Sequence, residues 1–116
     1  MTNAERKNRE SENIEKMILI EILWYQERNC QRKRIPRLIK GDLNISDYLW
    51  KKRIQSMQEN GYLESDTEEL LPALTLEGRE CGEELLRAAK AWNELLLNIG
   101  IENDVAERDA VKMAIR

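Results

Sequence analysis

The chain has no histidine and no phenylalanine, and only two prolines, five glycines and two cysteines among its 116 residues. Each scarcity closes off a class of function. Without histidine there is no imidazole base and no imidazole metal ligand, so serine–histidine and cysteine–histidine catalysis are excluded. Cys30 and Cys81 form no metal-ligand spacing, as expected of a cytoplasmic chain with reduced thiols. No glycine-rich phosphate loop or dinucleotide fingerprint is present. The longest apolar run, from Met17 to Tyr25, is interrupted by Glu21 and falls short of the roughly 18 uncharged residues that mark a membrane span. The first ten residues are polar and charged, unlike a signal peptide. The expectation is a cytoplasmic protein that is not an enzyme, needs no cofactor or metal, and has no membrane partner.

What the chain does have is charge. Charged residues make up 35% and apolar residues 41%. With so little glycine and proline, that mixture favours helix over sheet. The length suits one domain with a thin core, and a thin core favours self-association. The net charge is -3, but it is unevenly spread. Residues 28–53 hold nine basic side chains against Asp42 and Asp47, a net +7, which leaves -10 for the rest of the chain. Such a split predicts one polyanion-facing surface on an acidic body.

Residues 1–10 read as a charged, flexible tail. A first helix is expected from Ser11, an N-cap with Glu12 and Glu15 in the first turn. Ile14, Met17, Ile18, Ile22 and Tyr25 recur at helical spacing, and Ile20, Leu23 and Trp24 widen the apolar surface, so this helix is buried on most sides. Pro36 opens a short second helix to Leu43. After a tight turn at Asn44 and Ile45, Ser46 caps a third helix over residues 47–60, with Trp50, Ile54 and Met57 inward and Tyr48, Lys51, Lys52 and Gln55 outward. Gly61 stops it. Tyr62 to Glu64 and residues 70–74 are expected to pair as a two-stranded hairpin, with Pro72 confining the second strand to an edge. Thr75 caps a long helix over residues 76–99. Cys81, Leu85, Ala88, Trp92, Leu95 and Ile99 alternate spacings of four and three, a coiled-coil type of seam. Its length exceeds the thickness of the preceding domain, so part of the seam is expected on a second chain. Gly100 ends it, and a final amphipathic helix follows from Asp104.

The expected fold is therefore mainly α: a winged helix-turn-helix domain (three helices plus a two-stranded wing) over residues 11–74. A helical dimerisation segment over residues 75–116 follows, made of the long helix and a short C-terminal helix. In that fold the third helix enters the DNA major groove. Gln55 is placed to read a base edge, Lys51 and Lys52 to meet phosphates or guanine, and Tyr48 shares their face. Ser46 sits at the helix N-terminus, where a phosphate can be held. Arg32, Lys33, Arg34 and Arg37 precede or open the second helix and are placed to grip the backbone. Leu85, Ala88, Trp92, Leu95 and Ile99 are the expected dimer contacts.

At these residues the chain resembles a known family. Residues 44–46 through Asn60-Gly61-Tyr62-Leu63 resemble the recognition helix and start of the wing in bacterial winged-helix repressors. Leu74-Thr75-Leu76-Glu77-Gly78-Arg79 resembles their L-T-x-x-G-R signature. Leu85-Leu86, residues 94–97, Ile99-Gly100-Ile101 and Asp109-Ala110 resemble the dimerisation helices of iron- or manganese-dependent repressors of the diphtheria-toxin-repressor type. The resemblance implies a dimeric DNA-binding regulator. It does not carry the family's metal response. Where histidine and glutamate ligands would stand, this chain has Ala88, Trp92, Val111, Ala114 and Ile115. Glu12, Glu15, Glu107 and Asp109 remain nearby as oxygen donors. The expected wing is also acidic, with Glu64, Asp66, Glu68 and Glu69 repelling phosphate within a Debye length of about 8 Å. Two functions follow: a sequence-specific regulator binding double-stranded DNA as a homodimer, or a winged-helix protein–protein interaction module without DNA binding.

Overall fold

The structure is a computed structural model and describes residues 2–116; Met1, the first residue of the expected tail, lies outside the described residues. Five helices follow one another: α1 (Asn3–Glu27), α2 (Ile35–Leu43), α3 (Asp47–Glu59), α4 (Leu76–Asn98) and α5 (Asn103–Ala114). A short 3-10 turn, Arg32–Arg34, leads into α2. Helix α1 begins ahead of the expected Ser11. Thr2 is its N-cap, accepting a hydrogen bond from the Glu5 amide at 3.1 Å. Residues 3–10 are exposed helix, with no apolar side chain beyond Ala4 to announce it in the sequence.

Helix α1 is the centre of the molecule. One side of it, Ile18, Leu19 and Ile22, packs with Ile35 and Ile39 of α2 and with Trp50, Ile54 and Met57 of α3. Leu63 and Leu71 close that core from the loop after α3. The other side, Ile20, Leu23 and Trp24, packs with Leu86 and Ala89 of α4 and Val111 of α5. Each fully buried aliphatic or aromatic side chain stabilises by about 1.5–3 kcal/mol, so both halves are anchored to one helix.

The two-stranded wing is absent. Among the described residues there is no strand, only a single antiparallel bridge between Leu63 and Leu74. Two backbone hydrogen bonds flank it, Glu64 N–H to the Ala73 carbonyl at 2.8 Å and Thr75 N–H to the Tyr62 carbonyl at 3.1 Å. Pro72 has no N–H with which to extend a ladder. Leu71 and Pro72 instead turn into the interior, and Asp66 takes a left-handed conformation (φ 61°). The segment is a loop pinned at its base, and the regular elements among the described residues are all helices.

The L-T-x-x-G-R stretch has a local physical basis. Thr75 caps α4 by accepting from the Gly78 amide at 3.0 Å, and its hydroxyl donates to the Gly61 carbonyl at 2.6 Å. Gly78 lies so close to the preceding loop that a Cβ there would stand 2.0 Å from the Tyr62 carbonyl oxygen. At Gly41, in α2, an added Cβ would meet nothing within 4 Å. Gly78→Ala is therefore expected to cost about 3 kcal/mol by forcing backbone apart, whereas Gly41→Ala is expected to stabilise by about 0.5–1 kcal/mol. Urea denaturation of the two variants checks both signs.

Candidate nucleic-acid interface

Helices α2 and α3 follow one another across a tight turn at residues 44–46. The turn depends on Asn44, whose left-handed conformation (φ 53°) ends α2. Asparagine tolerates that region better than most residues. Ser46 then caps α3, its Oγ accepting from the Leu49 amide at 3.1 Å. That bond uses a lone pair of Ser46 and leaves its hydroxyl proton free to face a phosphate.

Two polar contacts fix this unit on α1. Glu15 receives Arg53 Nη1 at 2.9 Å and Ser56 Oγ at 3.3 Å, tying α3 down. Burial raises the Glu15 carboxyl above its ordinary range, while Arg53 and Ser56 pull it back. The Tyr25 hydroxyl donates to Asp42 and ties the end of α2. Burial and the neighbouring Asp42 carboxylate raise the Tyr25 phenol.

The predicted contact residues are all exposed: Arg32, Lys33, Arg34 and Arg37 around the start of α2, and Ser46, Tyr48, Lys51, Lys52 and Gln55 along α3. Tyr48 is 69% exposed, and the Lys52 ammonium lies 5.3 Å from its ring centre. Among the described residues, Lys33, Arg34, Arg37, Lys51 and Lys52 make no ion pair. Other cations of the basic window are engaged. Arg28 pairs with Glu107 at 2.6 Å, Arg53 with Glu15, and Lys40 with Asp47 at 2.9 Å. The Lys40 contact holds the Asp47 carboxyl below its usual range. Arg32 donates to the Leu71 carbonyl at 2.7 Å and braces the loop after α3.

That loop runs beside α3. Trp50 Nε1 donates to the Leu70 carbonyl at 3.2 Å, and Glu68 and Glu69 share a shallow groove with Lys51 and Gln55. The acidic segment therefore flanks the exposed face of α3. Of the expected dimer contacts, Leu85 and Ala88 are half-buried, and Trp92, Leu95 and Ile99 are 38%, 51% and 68% exposed. The buried face of α4 is the neighbouring one, Gly78, Gly82, Leu86 and Ala89. Among the described residues no three His, Cys, Asp or Glu side chains gather as a metal site, and no helix is long and apolar enough to cross a membrane. No protein-family model, curated protein or solved structure matches the chain.

Beside the Tyr25–Asp42 contact, Glu21 is 8% exposed. Burial, reinforced by Asp42, pushes its carboxyl up to about 10. The unfolded chain ionises this group near 4.5, so folding holds a proton that the unfolded chain releases. The resulting penalty is absent below the unfolded pKa and grows as pH rises toward the folded one. Glu21→Gln removes it. The variant is expected to match the parent near pH 4 and to exceed its stability by on the order of 1–3 kcal/mol near pH 7. Denaturant unfolding across that range measures the difference; a gap independent of pH contradicts it.

Proposed function

We propose that this chain is a sequence-specific DNA-binding transcriptional regulator that acts as a homodimer, with α3 as its recognition helix. The observation that carries the proposal is the succession of α2, a tight turn and α3, with Lys33, Arg34, Arg37, Lys51 and Lys52 exposed and making no ion pair among the described residues. Arg32, Lys33, Arg34 and Arg37 meet the phosphate backbone as α3 enters the major groove. Lys51 and Lys52 contact phosphate or guanine, and Gln55 reads a base edge. Tyr48 and the Ser46 hydroxyl complete the contact at the N-terminal end of α3. Two copies join through the outer face of α4, where Trp92, Leu95 and Ile99 are exposed at helical spacing. Binding requires no transition metal, because Ala88, Trp92, Val111, Ala114 and Ile115 offer no nitrogen or sulfur lone pair of the kind such ions prefer.

A second function, a protein-interaction module, is favoured by one feature. The acidic loop beside α3 also presents Leu70, which is 51% exposed.

Fluorescence anisotropy on promoter-derived duplexes across a salt series separates the two. DNA binding weakens steeply with salt, by a slope of about 0.9 per phosphate neutralised. Lys51→Glu with Lys52→Glu abolishes it, and Glu68→Gln with Glu69→Gln strengthens it by removing charge beside α3. Unchanged affinity in the lysine variant refutes the assignment of α3, and salt-insensitive or absent duplex binding favours the protein partner. In sedimentation equilibrium, Leu95→Glu with Ile99→Glu is expected to shift the chain to monomer. A persistent dimer places the interface elsewhere.

A further inference from the structure

Beside the turn from α2 to α3 lies a cavity of about 680 Å³ between α1, the C-terminal end of α2 and α5. That is within the roughly 300–1,000 Å³ range of small-molecule sites. Much of its wall is apolar, from Ile14, Met17, Trp24, Leu43, Ile45 and Val111. Its most buried polar group is Glu21, more than nine-tenths covered. Asp42 comes from α2 and Tyr25 from α1 to line the same wall.

We propose that this cavity binds a small organic cation with an apolar body, its positive charge seated against Glu21 and Asp42.

The charges around the cavity support that sign. Arg28 is the cation nearest this end, but its guanidinium is taken up by Glu107 at 2.6 Å and by the Trp24 ring at 4.7 Å. Asp104, Arg108 and Lys112 of α5 are exposed and stand at the rim. Among the described residues Glu21 makes no ion pair. The cavity therefore offers two carboxyl groups, the buried Glu21 and the exposed Asp42, that make no ion pair among the described residues. A bare metal ion is disfavoured, because the described acids do not gather in threes and much of the wall is apolar. An ammonium or phosphonium group with hydrocarbon substituents matches both features.

Binding has a proton balance. With the cavity empty, the Glu21 carboxyl keeps its proton; when the cation enters, Glu21 ionises and one proton passes to solvent. Tyr25 from α1, Arg28 just after it, Asp42 from α2 and Glu107 from α5 are the charged or titratable groups facing Glu21. Rising pH thus tightens cation binding. The cavity is also bounded by Leu43, Asn44 and Ile45, the turn into α3. The site stands independently of whether α3 binds DNA.

Isothermal titration of the full chain with tetraphenylphosphonium and with tetraphenylborate, near-identical in shape and opposite in charge, tests the proposal. The cation is expected to bind at least about tenfold tighter than the anion. Titration in two buffers of different ionisation enthalpy is expected to show release of close to one proton. Glu21→Gln is expected to weaken the cation by about tenfold and to abolish proton release, with Asp42→Asn as a second variant and circular dichroism confirming that both fold. Equal affinity for the two ions, preference for the anion, no binding of the cation, or an unchanged Glu21→Gln variant overturns it.

Discussion

The structure depends on burying α1 on two opposite sides. Ile18, Leu19 and Ile22 serve one core, and Ile20, Leu23 and Trp24 serve the other. Helices α2 and α3 contribute to the first, α4 and α5 to the second. A short chain with a modest apolar content thereby avoids building two separate domains. The cost is that α1 has little polar surface along its second half, so every charged group there needs a partner or loses its charge. Glu15 finds Arg53 and Ser56. Glu21 makes no ion pair among the described residues, and burial reinforced by Asp42 leaves its carboxyl protonated instead.

Those same contacts position the surface proposed to face DNA. The Glu15–Arg53 pair and the Tyr25–Asp42 hydrogen bond lock α3 and α2 against α1 at separate points. Charge that is spent internally cannot meet a phosphate, and this divides the basic window. Arg28, Lys40 and Arg53 hold the fold together, while Lys33, Arg34, Arg37, Lys51 and Lys52 remain unpaired among the described residues. The net +7 of the window therefore overstates the charge available to a partner. The acidic loop beside α3 reduces it further and biases the free face toward partners that approach along α3 and the start of α2.

Much of the helical frame was legible in the sequence, because caps and stops are local. Ser46 and Thr75 cap α3 and α4 where expected, and Gly61 and Gly100 adopt the positive φ that ends the preceding helices. The wing was not legible. Tyr62–Glu64 and residues 70–74 have strand-like composition, but pairing is a non-local event that neighbouring residues do not encode. Pro72 and the burial of Leu71 limit it to one bridge. The start of α1 was missed for a different reason: exposed polar residues carry no apolar period, and only Thr2 signals the cap. The partners of Glu15 lie 38 and 41 residues away and that of Asp42 lies 17 away, beyond any local pattern. Glu21 did leave a trace, as the single charge inside the run from Met17 to Tyr25.

The central claim is that one face of this helical protein, formed by residues 31–37 and the exposed side of α3, is where DNA docks. Amide chemical-shift mapping during titration with a short duplex tests it residue by residue. The account predicts that the largest shifts fall on Arg32 to Arg37 and on Ser46 to Gln55, with the outer face of α4 unmoved. Shifts confined to α4 and α5, or none at all, would contradict it.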